Sequence, residues 1–117
     1  RYVVVTGVQT CALPIYQEIQ GANRNIVQGY DKDLYTFARW SKEEQLIVVA
    51  NFSSTIASNY EMRVPADLLE KWNIKDGTYT LVDQLYGKYK TELKVINGEG
   101  RASIAIAPSE SFILKLQ

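Results

Sequence analysis

From residue 16 onward the chain is written in short runs whose apolar residues recur at every second position, each run broken by Gly, Pro, Asn or Asp. A period of two is the signature of strands with one face buried, and it leaves little room for helices. In Tyr89-Lys90-Thr91-Glu92-Leu93-Lys94-Val95-Ile96 it places Tyr89, Thr91, Leu93 and Val95 inward, with the lysines and the glutamate toward water. Asn59-Tyr60-Glu61-Met62-Arg63-Val64 alternates in the same way and stops at Pro65. Leu34-Tyr35-Thr36-Phe37-Ala38-Arg39-Trp40 and Gln45-Leu46-Ile47-Val48-Val49-Ala50-Asn51-Phe52 flank the polar Ser41-Lys42-Glu43-Glu44 and are expected to pair as a hairpin. The second of these is apolar almost throughout, which predicts a central strand covered on both faces.

Further strands are expected at Thr78-Tyr79-Thr80-Leu81-Val82-Asp83, at Arg101-Ala102-Ser103-Ile104-Ala105-Ile106 after an Asn97-Gly98-Glu99-Gly100 turn, and at Ser111-Phe112-Ile113-Leu114-Lys115-Leu116. Residues 65–72 break the pattern: proline at a plausible first helical position and apolar residues at helical spacing predict one short helical turn. The fold class is therefore all-β, an antiparallel two-sheet β-sandwich of about seven or eight strands.

A length of 117 residues with 46% hydrophobic side chains suits one globular core. Lys plus Arg and Asp plus Glu each number 13, so no net field draws in nucleic acid or an anionic membrane. The longest aliphatic run, Leu46-Ile47-Val48-Val49-Ala50, falls far short of the roughly 20 residues of a membrane span. The chain has no histidine, which removes Ser-His-Asp and Cys-His nucleophile systems, imidazole bases and His-rich zinc sites.

The first 15 residues stand apart from this pattern. Val5-Thr6-Gly7-Val8-Gln9-Thr10-Cys11-Ala12-Leu13-Pro14-Ile15 resembles the translated product of a common sequencing-library adapter, so residues 1–15 are expected to be foreign and residues 16–117 to be the domain. The one cysteine, Cys11, lies in that segment, which leaves residues 16–117 without a disulfide or a thiol nucleophile.

Several segments in order resemble the C-terminal domain of alpha-amylase-family glycoside hydrolases of bacterial type. They are Tyr16-Gln17-Glu18-Ile19 with Ala22-Asn23-Arg24-Asn25, then Tyr30-Asp31, Leu34-Tyr35-Thr36-Phe37-Ala38-Arg39 and Leu46-Ile47-Val48-Val49-Ala50-Asn51-Phe52-Ser53. Asp83-Gln84-Leu85-Tyr86-Gly87 is similar to the family's "Asp-Leu-Leu-x-Gly" turn, and Ile106-Ala107-Pro108 with Phe112-Ile113-Leu114-Lys115-Leu116 to its closing strands. The resemblance implies a non-catalytic accessory domain that stabilises a catalytic barrel acting on starch or related alpha-glucans. The barrel would hold the nucleophile, the acid/base and any calcium. It would be the domain's partner in the same parent chain, with an alpha-glucan as a further ligand. A periplasmic, cell-surface or secreted location would follow for a starch-degrading bacterial parent. The competing reading is a free-standing carbohydrate-binding β-sandwich module.

No catalytic constellation, metal-ligand set or cofactor motif is expected within this chain. Asp31 and Asp33 flank Lys32 in a polar stretch and read as solvated loop charges, and Asp83 reads as a turn cap. Sugar rings stack on flat aromatic faces, which makes Trp72, Tyr86, Tyr30 and Trp40 the substrate-binding candidates, Trp72 and Tyr86 foremost because both fall near turns. The alternative for all four is burial in the core or at the barrel interface. Asn51-Phe52-Ser53 matches a glycosylation acceptor but is assigned a structural role at a strand end.

Overall fold

The computed structural model describes residues 15–117, so the adapter-like segment with its Cys11, all but Ile15, lies outside the described residues. Eight strands and two short helices follow one another as β1 (Ile15–Glu18), α1 (Gln20–Asn23), β2 (Leu34–Trp40), β3 (Gln45–Asn51), β4 (Ser58–Val64), α2 (Ala66–Lys71), β5 (Gly77–Asp83), β6 (Lys90–Ile96), β7 (Glu99–Ile106) and β8 (Ser111–Leu116). The all-β expectation holds, with the helical turn at α2 and a second one, α1, that no periodicity announced. Every strand pair is antiparallel.

The strands form a single hydrogen-bonded sheet in the order β1-β2-β3-β8-β5-β6-β7-β4. It curls so that its two halves become the two layers of the sandwich. Between them lie Leu34 and Ala38 of β2, Ile47 and Val49 of β3, Met62 and Val64 of β4, Leu93 and Val95 of β6, Ile104 and Ile106 of β7, and Phe112 and Leu114 of β8. Each large aliphatic side chain fully removed from water there contributes about 1.5–3 kcal/mol.

Local chemistry sets the register. Trp40 pairs with Gln45 across the polar Ser41–Glu44 connection, as the sequence predicts. Asn97 and Gly98, with φ of 53° and 77°, link β6 to β7 with Ile96 opposite Glu99. A two-residue hairpin loop with positive φ at both positions matches the twist of the strands it joins. The Asp76 carboxylate fixes this turn by accepting the Asn97 N–H at 2.9 Å and the Gly98 N–H at 3.0 Å.

Helix α2 buries Leu68 and Leu69 in the core. It ends in a Schellman pattern: Asn73 takes φ 56°, its N–H donates to Glu70 O at 3.0 Å, and Ile74 N–H donates to Leu69 O at 2.9 Å. That turn swings Trp72 inward, where it is 7% exposed and meets Trp40 edge-on, with ring centroids 5.8 Å apart.

The two outermost strands are tied together by side chains. Gln17 of β1 donates to Asp67 Oδ2 at 3.0 Å and accepts from Lys71 Nζ at 2.9 Å, both on α2. Asn23 of α1 is fully buried and hydrogen-bonds the backbone of Arg63 on β4.

One expectation is corrected. β3 is not covered on both faces by this chain: Ile47 and Val49 are buried, whereas Leu46 and Val48 on the opposite face are only half-buried. The nearly continuous apolar run therefore reports two different apolar surfaces, one of them outside the core.

Candidate functional site

The outer faces of the two layers differ in chemistry. On β4, β7 and β6 the outward positions carry Glu61, Arg101, Glu92 and Lys94, and Arg101 pairs with Glu61 at 3.6 Å and with Glu99 at 3.1 Å. These are exposed ion pairs around a shallow depression of about 700 Å³, the ordinary solvated side of a sheet.

On β1, β2, β3 and β8 the outward positions carry Glu18, Arg39 and Lys115 toward the margins and a group of apolar side chains between them. Register puts Phe37 opposite Val48 and Val48 opposite Ile113, a row across three strands. Tyr16 and Tyr35 flank it, with ring centroids 5.3 Å and 5.5 Å from that of Phe37. Tyr16 is 49% exposed. Tyr16, Tyr35 and Glu18 form one polar cluster in which two hydroxyl protons serve three contacts: the Tyr35 and Tyr16 hydroxyls lie 2.9 Å and 3.2 Å from Glu18 Oε1 and also meet each other. The bond to Tyr16, with burial and the Glu18 carboxylate behind it, pushes the Tyr35 hydroxyl pKa up. Beside this row, Trp40, Arg39, Glu44 and Leu46 help to line a shallow depression of about 440 Å³.

A third depression, about 630 Å³, lies where β6 and β7 part. Their ladder runs from Ile96 to Leu93 and stops at the Leu93–Ala102 pair. Beyond it side chains replace the ladder: Thr91 Oγ1 donates to Ser103 O at 2.7 Å, and the Tyr89 hydroxyl donates to the same oxygen at 3.3 Å while accepting the Ala105 N–H at 3.0 Å. The Tyr89 ring stacks on Phe112, with centroids 4.1 Å apart and planes 7° from parallel. Tyr86, Lys88 and Glu110 complete the opening.

Asp83 sits under this cleft and is the one buried carboxylate among the described residues. Its Oδ1 accepts the N–H groups of Leu85 at 3.1 Å and Ile113 at 2.9 Å, and its Oδ2 that of Tyr86 at 3.0 Å. Burial by itself would raise the pKa, but the backbone donors of Ile113, Tyr86, Leu85 and Gly87 outweigh it and hold the carboxyl below its ordinary value. Asp83 is thus a charged turn cap with its acceptors committed, and it lacks the raised pKa a general acid needs.

Of the four aromatic candidates, the structure exposes one. Tyr86 is 67% exposed. The expectation of a surface role for Trp72 is corrected, because the turn after α2 rolls its ring into the core. Trp40 is half-buried against it. Tyr30 is half-buried, edge-on to Tyr60 at 5.0 Å, and its hydroxyl bonds Gln20 and the Leu34 carbonyl. Asp31 and Asp33 lie in the turn before β2, where Asp31 Oδ1 accepts the Asp33 N–H at 3.4 Å. Asn51 is 2% exposed, and its amide donates to Ile56 O at 2.8 Å and Ala107 O at 3.1 Å.

Sequence reasoning missed the Phe37-Val48-Ile113 row and the Tyr89–Phe112 stack. The first was visible as apolar residues at the wrong phase of β2, β3 and β8. The second joins strands distant in sequence and left no local signal.

Among the described residues no group of three or more His, Cys, Asp or Glu side chains is placed to hold a metal ion, and no helix is long and apolar enough to cross a membrane. The family model described as "Alpha amylase, C-terminal all-beta domain" matches residues 26–117. No curated protein matches the chain. Among solved structures, the crystal structure of an AmyP variant in complex with maltotriose is similar, at 23% identity and a TM-score of 0.44. The match covers 74% of this chain and 15% of that one, so the chain corresponds to a small part of that protein's length.

Proposed function

The chain belongs to the family of alpha-amylase C-terminal all-beta domains, and from that premise we propose that it is a non-catalytic accessory domain of an alpha-amylase-like glycoside hydrolase, stabilising the catalytic barrel of its parent. The observation that carries this reading is the contrast between the outer faces. Phe37, Val48 and Ile113 form a half-buried apolar row outside the core on one layer, bordered by the exposed Tyr16, while the other layer carries Glu61, Arg101, Glu92 and Lys94. A sheet face that served only solvent would resemble the second; apolar side chains gathered on an outer sheet face favour a site of association. Starch or a related alpha-glucan is then the substrate of the parent rather than of this chain. A glycosidase needs two carboxylates held across the scissile bond, one of them with a raised pKa, and Asp83, the buried carboxylate, is committed to backbone donors instead.

On this reading residues 16–117 are the functional unit and residues 1–15 carry no function, Ile15 only extending the β1 ladder to Trp40. Removing residues 1–14 should leave the melting temperature unchanged.

The test of the interface is the association state of the isolated chain. Sedimentation should show self-association and a hydrophobic dye should bind. Val48→Glu should abolish both while leaving the circular dichroism spectrum intact. A monomer that binds no dye would overturn the proposal.

A further inference from the structure

We propose that Asn97 is a site of covalent modification, a deamidation that converts it to aspartate and isoaspartate, and that the Asp76 carboxylate sets its rate by holding the amide hydrogen that has to leave. Asparagine is among the thermolabile side chains, because its own amide carbon lies within reach of the next residue's backbone nitrogen. A side chain on that next residue shields the nitrogen, and glycine has none. Of the six asparagines in the chain, Asn97 alone precedes a glycine; the others precede Arg24, Ile26, Phe52, Tyr60 and Ile74.

The surroundings of the pair leave the reaction room. Asn97 is exposed and Gly98 half-buried, and a Cβ placed on Gly98 would meet nothing within 4 Å. Water and hydroxide therefore reach both residues. Hydroxide takes the proton of the Gly98 N–H, and the nitrogen attacks Asn97 Cγ. The new N–Cγ bond closes a cyclic succinimide, the Cγ–Nδ2 bond breaks, and ammonia leaves with a proton from water, which regenerates the hydroxide. Water then opens the ring at either carbonyl. One opening leaves aspartate; the other leaves isoaspartate, in which the main chain runs through the side-chain carbon.

Asp76 acts on the first of these steps. Its Oδ1 accepts the Gly98 N–H at 3.0 Å, and its Oδ2 accepts the Asn97 N–H at 2.9 Å. A negative acceptor stabilises the protonated nitrogen and opposes the anion that must form. The product is at odds with the turn that made it. A carboxyl group at residue 97 brings a second negative charge to the residue whose N–H Asp76 holds. Isoaspartate also adds an atom to a two-residue loop that joins Ile96 to Glu99 through positive φ at both positions.

The experiment follows the full chain at mildly alkaline pH, with peptide mass spectrometry to locate the exchange of amide for carboxyl and chromatography to separate aspartate from isoaspartate. Asp76→Ala is the variant to compare, since Asp76→Asn would write a second Asn-Gly pair with Gly77. Asp76 is exposed, so the change leaves the core intact. Asn97 should be the first asparagine converted in both proteins. Asp76→Ala should speed its conversion roughly tenfold, the rate factor of losing one hydrogen bond to a charged group. Hydrogen exchange of the β6–β7 ladder amides, measured on the same samples, should stay the same, which separates an effect on the Gly98 nitrogen from an opened hairpin. Conversion of another asparagine before Asn97, equal rates in the two proteins, or ladder amides that exchange faster in step with conversion would each overturn the assignment.

Discussion

Asn23 gives Arg63 the two hydrogen bonds that a neighbouring strand would give it. The Asn23 amide donates to the Arg63 carbonyl at 3.0 Å and its Oδ1 accepts the Arg63 N–H at 2.8 Å, while the same amide also donates to Ile19 O at 3.0 Å. One fully buried side chain thereby satisfies the outer edge of β4 and fastens α1 to it. Asn23→Ala leaves a backbone donor and an acceptor of Arg63 without partners, and unsatisfied groups of this kind cost about 1–3 kcal/mol each when kept from water. A loss of about 2–4 kcal/mol in urea unfolding is expected, with faster hydrogen exchange at the Arg63 amide. Unchanged exchange there would mean that the bond pair does not hold the edge.

The Asp83 cap predicts a pH dependence with a definite sign. Its folded-state pKa lies below the unfolded value of about 3.9, so its contribution to stability is fully present above that value and is lost as the pH falls through the folded pKa. Asp83→Asn offers one acceptor oxygen where the carboxylate has two, and turns an N–H₂ toward backbone donors. Hydrogen bonds to a charged group contribute about 1.5–3 kcal/mol, so the variant should be less stable by about that much at pH 7. The difference between the two proteins should shrink below about pH 4. Parallel stability curves from pH 7 down to pH 2 would remove the cap from the account.

Gly100 stands where packing is tight against a side chain in its place. A Cβ at this buried position in β7 would stand 3.0 Å from Val64 Cβ, 3.1 Å from Leu93 Cδ1 and 3.3 Å from Leu69 Cδ1, where β4, β6 and α2 converge. Overfilling a packed core costs about 1–3 kcal/mol. Gly100→Ala should therefore lower the melting temperature by several degrees, even though alanine replaces glycine in a strand at no intrinsic penalty. A raised melting temperature would show that the neighbours yield.

What the sequence made legible, and what it hid, follows from the range over which each feature is encoded. The strands around Leu93 and Met62 are readable because alternation is a property of neighbouring residues, and the β6–β7 hairpin is readable because Asn97 and Gly98 accept positive φ. The Pro65 start of α2 is local in the same way. Helix α1 is not, since four residues carry no period and Ile19 supplies no side-chain cap; Gln20 and Asn23 hold it through bonds to distant segments. Trp72 misleads because proximity to a turn says nothing about which way the turn faces. Val48 misleads more instructively: an apolar residue facing out of the core and one facing into it are written with the same letter, and only the register with Phe37 and Ile113 separates them. The Tyr89–Phe112 stack is hidden for another reason, since Phe112 comes from a strand 23 residues beyond Tyr89.

The place of β8 has a consequence for how the sheet comes into being. Eighth among the described strands in chain order, it lies between β3 and β5 and is hydrogen-bonded to both. Until residues 111–116 have left the ribosome, the ladder of β1 to β3 and that of β5 to β7 with β4 have no strand between them, and only side chains such as Asn23 on Arg63 link the two ribbons. Closing a sheet through its middle requires contacts between distant parts of the chain, which slows the decisive step and leaves the edges of β3 and β5 open to other chains meanwhile. The insertion of that one strand between β3 and β5 is what joins two sticky ribbons into a single sheet.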